Sequence, residues 1–171
     1  KSSHAATPEL GINAAEDASR VITELKNVEY IEDPHLGKGS ACVVAVESDG
    51  GACSVPDYAK IRLFWHIVMG ESEETITNEI RKAIERAQIK SSYQINFREA
   101  PSEGSRGFLP YTITGEEPIT KIFLDAVEEV CEKKPTISYF QSIGDFNYLG
   151  SRLDAPAVIF GAAGGNFHGS D

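Results

Sequence analysis

The sequence predicts an α+β fold: a ferredoxin-like unit of βαββαβ order, followed by a shorter α/β segment. Three observations carry this. Residues 58–68, YAKIRLFWHIV, alternate between two faces as a half-buried strand does. Two stretches, beginning near Asn13 and near Glu71, place apolar residues at helical spacing, the first behind a capping signal and the second behind acids suited to a first turn. Between residues 99 and 117, three glycines and two prolines interrupt all periodicity and mark a boundary.

Each element has a local reason. Thr7-Pro8 offers an N-cap with proline at the first helical position, and Asn13-Ala14-Ala15-Glu16 offers a second start with capping-box spacing. Ala14, Ala18, Val21, Ile22 and Leu25 then share one face, and Asn27 is a stop. Residues 41–47, ACVVAVE, read as a strand, with Cys42 as a small core residue, and SDGG at 48–51 as a turn. In the next strand Ile61, Leu63, Trp65 and Ile67 face one way and Arg62, Phe64 and His66 the other, so the two strands form a hairpin. Trp65 belongs between this sheet and its helices. GESEET opens a second helix with acids in its first turn, where the helix dipole favours them. Ile76, Ile80, Ala83, Ile84 and Ala87 are its buried stripe, with Arg81, Lys82, Glu85 and Arg86 on the wet side. YQINF at 93–97 is a further alternating strand, and residues 1–5 end the first one, which completes the split βαβ order. His35, in EDPHLGKG, sits on a surface turn.

Beyond the boundary, Ile119, Ile122, Phe123, Ala126, Val127 and Val130 line one side of a helix that Lys133-Lys134-Pro135 ends. TISYF at 136–140 reads as a short strand and DFNYLGSRL as a short helix, with Asp145 at its N-cap. PAVIFG at 156–161 has the continuous apolar character of a strand buried on both faces. The two domains expected are therefore residues 1–99 and 100–171.

Composition narrows the function classes. With 26 acids against 16 bases the net charge is −10, which disfavours nucleic acid and anionic membrane surfaces as partners. No apolar run is long enough for a membrane span. Cys42, Cys53 and Cys131 are an odd number without CxxC spacing, as in a reduced, cytoplasmic protein. The four histidines, His4, His35, His66 and His168, form no HExxH or clustered motif, and there is no GxSxG, Walker or GxGxxG pattern in strand–helix context. Read from the residues alone, His168 is a loop histidine among glycines.

Three stretches together carry a resemblance. SSHAATPELGINAA, SVPDYAKIRL followed by GES, and PAVIFGAAGGNFHGSD resemble, in order and spacing, segments of the zinc-dependent aminoacylases and peptidases. That family includes acetylornithine deacetylase, succinyl-diaminopimelate desuccinylase and glutamate-releasing carboxypeptidases. The resemblance implies that residues 1–99 are a lid, or dimerisation, domain whose first strand is truncated. It implies that residues 100–171 are the C-terminal portion of a catalytic domain. An N-terminal portion with most zinc ligands and the general-base glutamate would then lie outside this chain.

By the same resemblance, His168 is a terminal ligand of a two-zinc centre, with cobalt or manganese as alternative metals, oriented by a neighbouring acceptor. The metal lowers the pKa of its water and polarises the carbonyl, and the glutamate moves the proton. His4 reaches across a lid–lid homodimer and donates a hydrogen bond to the oxyanion formed on attack at an amide; losing such a donor costs about 2.7–4 kcal/mol of barrier. Where the family often has Asp-x-Arg before the Gly-Glu turn, this chain has Phe64-Trp65-His66. An imidazole lacks the two-point fork of a guanidinium, so His66, when protonated, or Arg62 is left to meet the substrate carboxylate. Cys53 stands where many members carry an asparagine, and a thiol cannot replace that amide's hydrogen bonds. Near SIGDFNYLG the family lines its pocket with small residues, which points to Ser142, Gly144, Asp145 and Asn147. The activity implied is hydrolysis of N-acyl amino acids or small peptides. The alternative is a non-catalytic ferredoxin-like module that dimerises or binds a small effector.

Overall fold

The computed structural model describes residues 1–98 and 109–161. The chain divides into two compact units, Lys1–Pro110 and Tyr111–Asp171.

In the first unit the chain enters through a short 3-10 turn, Pro8–Leu10, with proline at its first position. Helix α1 follows at Ala14–Glu24, so of the two possible starts Asn13 is the cap of the α-helix. Its side-chain oxygen accepts the amides of Ala15 and Glu16, which no intrahelical carbonyl can reach. A 3-10 turn at Leu25–Asn27 ends the helix at the expected place. Two-residue strands β1 (Glu32–Asp33) and β2 (Gly37–Lys38) then form a small antiparallel hairpin around His35, which is exposed. The Asp33 carboxylate accepts the amides of His35 and Leu36, and Gly37 takes the left-handed backbone the turn requires, at φ 77°.

Strands β3 (Ser40–Glu47) and β4 (Lys60–His66) pair antiparallel, with an irregularity between Val43 and Ala45. Helix α2 (Glu73–Ala87) is capped by Ser72, whose hydroxyl accepts the Thr75 amide while Thr75 answers the Ser72 amide. Gln88 ends it in the left-handed conformation. Val21, Leu25 and Val28 meet Ala83, Ile84 and Ala87 in the core, and Val43, Ile61, Leu63 and Trp65 pack on it from the sheet. The alternation of β4 and the stripe of α2 therefore do what the sequence predicts. Fully burying a valine, leucine or isoleucine side chain of this core contributes about 1.5–3 kcal/mol, and the alanines and partly buried side chains contribute less.

Several expected features differ. Residues 93–97 make no ladder: Ile95 packs on the core, but both sheets among the described residues are two-stranded. The N-terminal strand reduces to one bridge, His4 to Ser54. Residues 93–97 keep part of a strand's side-chain phase without its backbone pairing, whereas the N-terminal segment keeps a single bridge's worth of backbone pairing. Cys42 is exposed, because strand alternation assigns the core face to Val43 and the outer face to Cys42 and Val44.

In the second unit, helix α3 spans Pro118–Cys131 and helix α4 spans Asp145–Leu153. The Glu117 carboxylate gathers the amides of Thr114 and Gly115 and the Thr114 hydroxyl at 2.8–3.0 Å. Its carboxyl is thereby held down to about 2, chiefly by the Thr114 amide. The cap of α4 is Gly144 rather than Asp145, which is the first helical residue. Gly150 leaves room for the Tyr111 ring, which a methyl group there would overlap. The stripe expected to bury α3 is open: Ile119, Ile122 and Val130 are exposed, and Thr120 is the buried residue of the helix. Residues 136–140 and 156–161 form no strand, and Val158, Ile159 and Phe160 are exposed instead of buried on both faces. An apolar run becomes a central strand only where neighbours complete its ladder, and among the described residues of this unit none does. No helix among the described residues is long and apolar enough to cross a membrane.

Candidate functional site

His4 is exposed on a tight turn whose backbone is tied on both sides. The Val55 amide donates to the Ser3 carbonyl at 2.8 Å, and the Ala5 amide donates to the Cys53 carbonyl at 2.8 Å. The turn closes through Thr7, whose amide donates to the His4 carbonyl at 2.9 Å. Within it the Ala6 amide donates to the His4 ring at Nδ1, at 3.0 Å. The partner segment, residues 50–55, is itself a turn, with the Ser54 amide on the Gly50 carbonyl at 3.2 Å. The SDGG turn signal was visible in the sequence; that it grips the N-terminal segment was not.

Arg62 and His66 lie on β4. Arg62 is exposed and pairs with Glu47 across the ladder at 3.3 Å. Two solvated charges of this kind hold each other weakly, so the guanidinium is readily given to another carboxylate. His66 is half-buried, and its Nε2 lies 3.1 Å from the Leu36 carbonyl. A carbonyl only accepts, so Nε2 carries the proton in that bond and Nδ1 is the nitrogen left for other work. Cys53 is exposed next to the His4 turn.

In the second unit, Ser142 and Gly144 precede α4, and Asn147 lies in its first turn. The Asn147 side chain is buried and its oxygen accepts the Gly144 amide at 3.0 Å. This hydrogen bond fixes the entry to α4 at Gly144, where the backbone is extended and which the sequence singled out.

His168 lies outside the described residues. Among the described residues no group of three or more His, Cys, Asp or Glu side chains is placed to hold a metal ion. The described residues therefore do not by themselves fit a zinc centre.

Known proteins place the chain. A search of solved structures finds a tripeptidase from Staphylococcus aureus subsp. aureus Mu50, with a TM-score of 0.54 at 14% identity. The match covers 91% of this chain and 39% of that one, so this chain spans well under half of the tripeptidase's length. At that identity the likeness speaks for the fold alone. No curated protein matches the chain. The model of the peptidase dimerisation domain matches residues 1–92, which hold the hairpin, both core helices and the His4 turn. The chain belongs to the peptidase dimerisation domain family.

Proposed function

We propose that this chain is the dimerisation lid, with the C-terminal part of the catalytic domain, of a metal-dependent peptidase or N-acyl amino acid deacylase that works as a homodimer. Residues 1–99 are the lid and residues 100–171 the catalytic portion. The observation that carries this is His4, exposed on a backbone-tied turn inside a peptidase dimerisation domain. A histidine so displayed is suited to donate a hydrogen bond to an oxyanion forming in the partner protomer's site.

The open apolar surface of the second unit supports the larger assembly. Ile122 is 64% exposed, Val130 82% and Phe160 65%, apolar surface that the rest of a catalytic domain would cover. Arg62, or His66 once its Nδ1 is also protonated, is the group for a substrate carboxylate, Arg62 with the better geometry for two-point binding. The backbone of Ser142 and Gly144, held by Asn147, lines the pocket. His168 is the proposed zinc ligand of this chain.

The test is His4→Ala in the full-length protein, assayed on N-acyl amino acids and tripeptides. The kcat falls by about 10²–10³, with KM and the dimer mass unchanged. An unchanged kcat removes His4 from the chemistry. Cleavage of tripeptides without deacylation, or the reverse, decides between the two substrate classes.

A further inference from the structure

The Ala6 amide does more than close a turn. An N–H that donates to Nδ1 needs a lone pair there, so the proton of the neutral imidazole must sit on Nε2. Moving the proton to Nδ1 would set one N–H against another, and flipping the ring would set Cδ2–H against the Ala6 N–H and lose the bond. The ring is held by a neighbour two residues away, and that neighbour is held by the Thr7 to His4 bond at 2.9 Å. The main chain on either side is fixed to the 50–55 turn by the Ser3–Val55 and Ala5–Cys53 bonds. Direction of the ring, and which of its nitrogens carries hydrogen, are therefore set before any substrate arrives.

We infer that the backbone amide of Ala6 is a positioning group that locks His4 as the Nε2–H tautomer, so that the chain presents an N–H donor, not a lone pair, to its surroundings. This rests on the proposed role of His4 as a donor to an oxyanion. A donor is useful there only if it needs no reorganisation as charge develops. The opposite tautomer would point a lone pair at the developing negative charge and repel it.

The experiment is a long-range ¹H–¹⁵N correlation spectrum of the 171-residue chain, taken well above the ordinary imidazole range. His4→Gln identifies the His4 signals by their loss. The expected spectrum has Nε2 at the protonated position and Nδ1 at the unprotonated one. Both lie at limiting values, with a coupling across the hydrogen bond between Nδ1 and the Ala6 amide nitrogen. An ester in place of the Ala5–Ala6 amide deletes that one donor and should return His4 to an average of both tautomers. Averaged shifts in the unmodified chain, or a proton on Nδ1, overturn the inference, as does an ester form that keeps the limiting shifts. If the ester form does not fold, the coupling in the unmodified chain decides alone. The two readings separate cleanly. A locked tautomer with full activity in His4→Ala sinks the oxyanion role, whereas an averaged tautomer with lost activity sinks the lock.

Discussion

The carboxylate of Asp17, in helix α1, binds Ser91 through both its amide, at 2.9 Å, and its hydroxyl, at 2.7 Å, and also takes the Lys90 amide at 3.0 Å. One side chain thus terminates the segment leaving α2 and ties it to α1. Burial pushes the Asp17 carboxyl up, but the Ser91 and Lys90 hydrogen bonds and Arg20 outweigh it, and the net shift is downward. Its folded value lies below its unfolded one, so its contribution is full above the unfolded range, near 4, and fades as pH falls through the folded value. Asp17→Ala should cost about 2–3 kcal/mol at neutral pH, since it leaves two part-buried amides unpaired. Denaturant titrations at neutral pH and near pH 3 check this: the variant should lose less stability on acidification than the parent.

Gly50 is required by the His4 turn. A methyl group there would overlap the Ser54 carbonyl, which is backbone and cannot swing away. Gly50→Ala should destabilise the first unit by about 1–3 kcal/mol. It should also speed amide exchange at Ala5 and Val55, the two donors that tie the segments. Unchanged protection at both amides would mean that the turn absorbs the methyl group and His4 keeps its anchor.

Trp65 is the chain's single tryptophan. Its indole N–H donates to Glu71 at 3.3 Å, and its ring lies 5.4 Å from that of Tyr30. Glu71 also accepts the Val68 amide at 2.9 Å, so one carboxylate steadies both the end of β4 and the approach to α2. Glu71→Gln should cost about 1 kcal/mol. Trp65 emission should shift to longer wavelength on unfolding and report the loss of the first unit directly.

Glu117 should titrate at about 2, below the ordinary glutamate range, with the Thr114 amide as the chief cause. Because the folded value is depressed, its support of the α3 start is full above pH 4 or so and is lost toward pH 2. Carboxyl-carbon NMR of the chain tests the value. Glu117→Gln should raise amide exchange at Thr114 and Gly115 and leave the first unit untouched.

The helices were legible because their signals are local. Asn13 and the acids of GESEET announce themselves within a few residues, and the stripe of α2 needs only its own spacing. The strands at 93–97, 136–140 and 156–161 were over-read because a strand is completed by its neighbours, and an apolar or alternating run cannot say whether they are there. The β1–β2 hairpin was legible only as a turn, since two-residue strands have no period. For Cys42 the missing information was phase: a run of ACVVAVE does not declare which alternate residue faces inward. Of the candidate site, the histidines could be named, but their partners could not. The Leu36 carbonyl lies 30 positions from His66, and Asp17 lies 74 positions from Ser91. Neither pairing leaves any mark in local sequence.

The bonds that join residues 3–5 to 53–55 also have a mechanical consequence. With the Ile12 amide on the Lys1 carbonyl and the Ala14 amide on the Pro56 carbonyl, both near 2.9 Å, they run side by side. The N-terminal segment is thereby moored twice, at Ile12 just before the cap of α1 and at residues 53–55 in the connection between β3 and β4, and His4 sits between the two moorings.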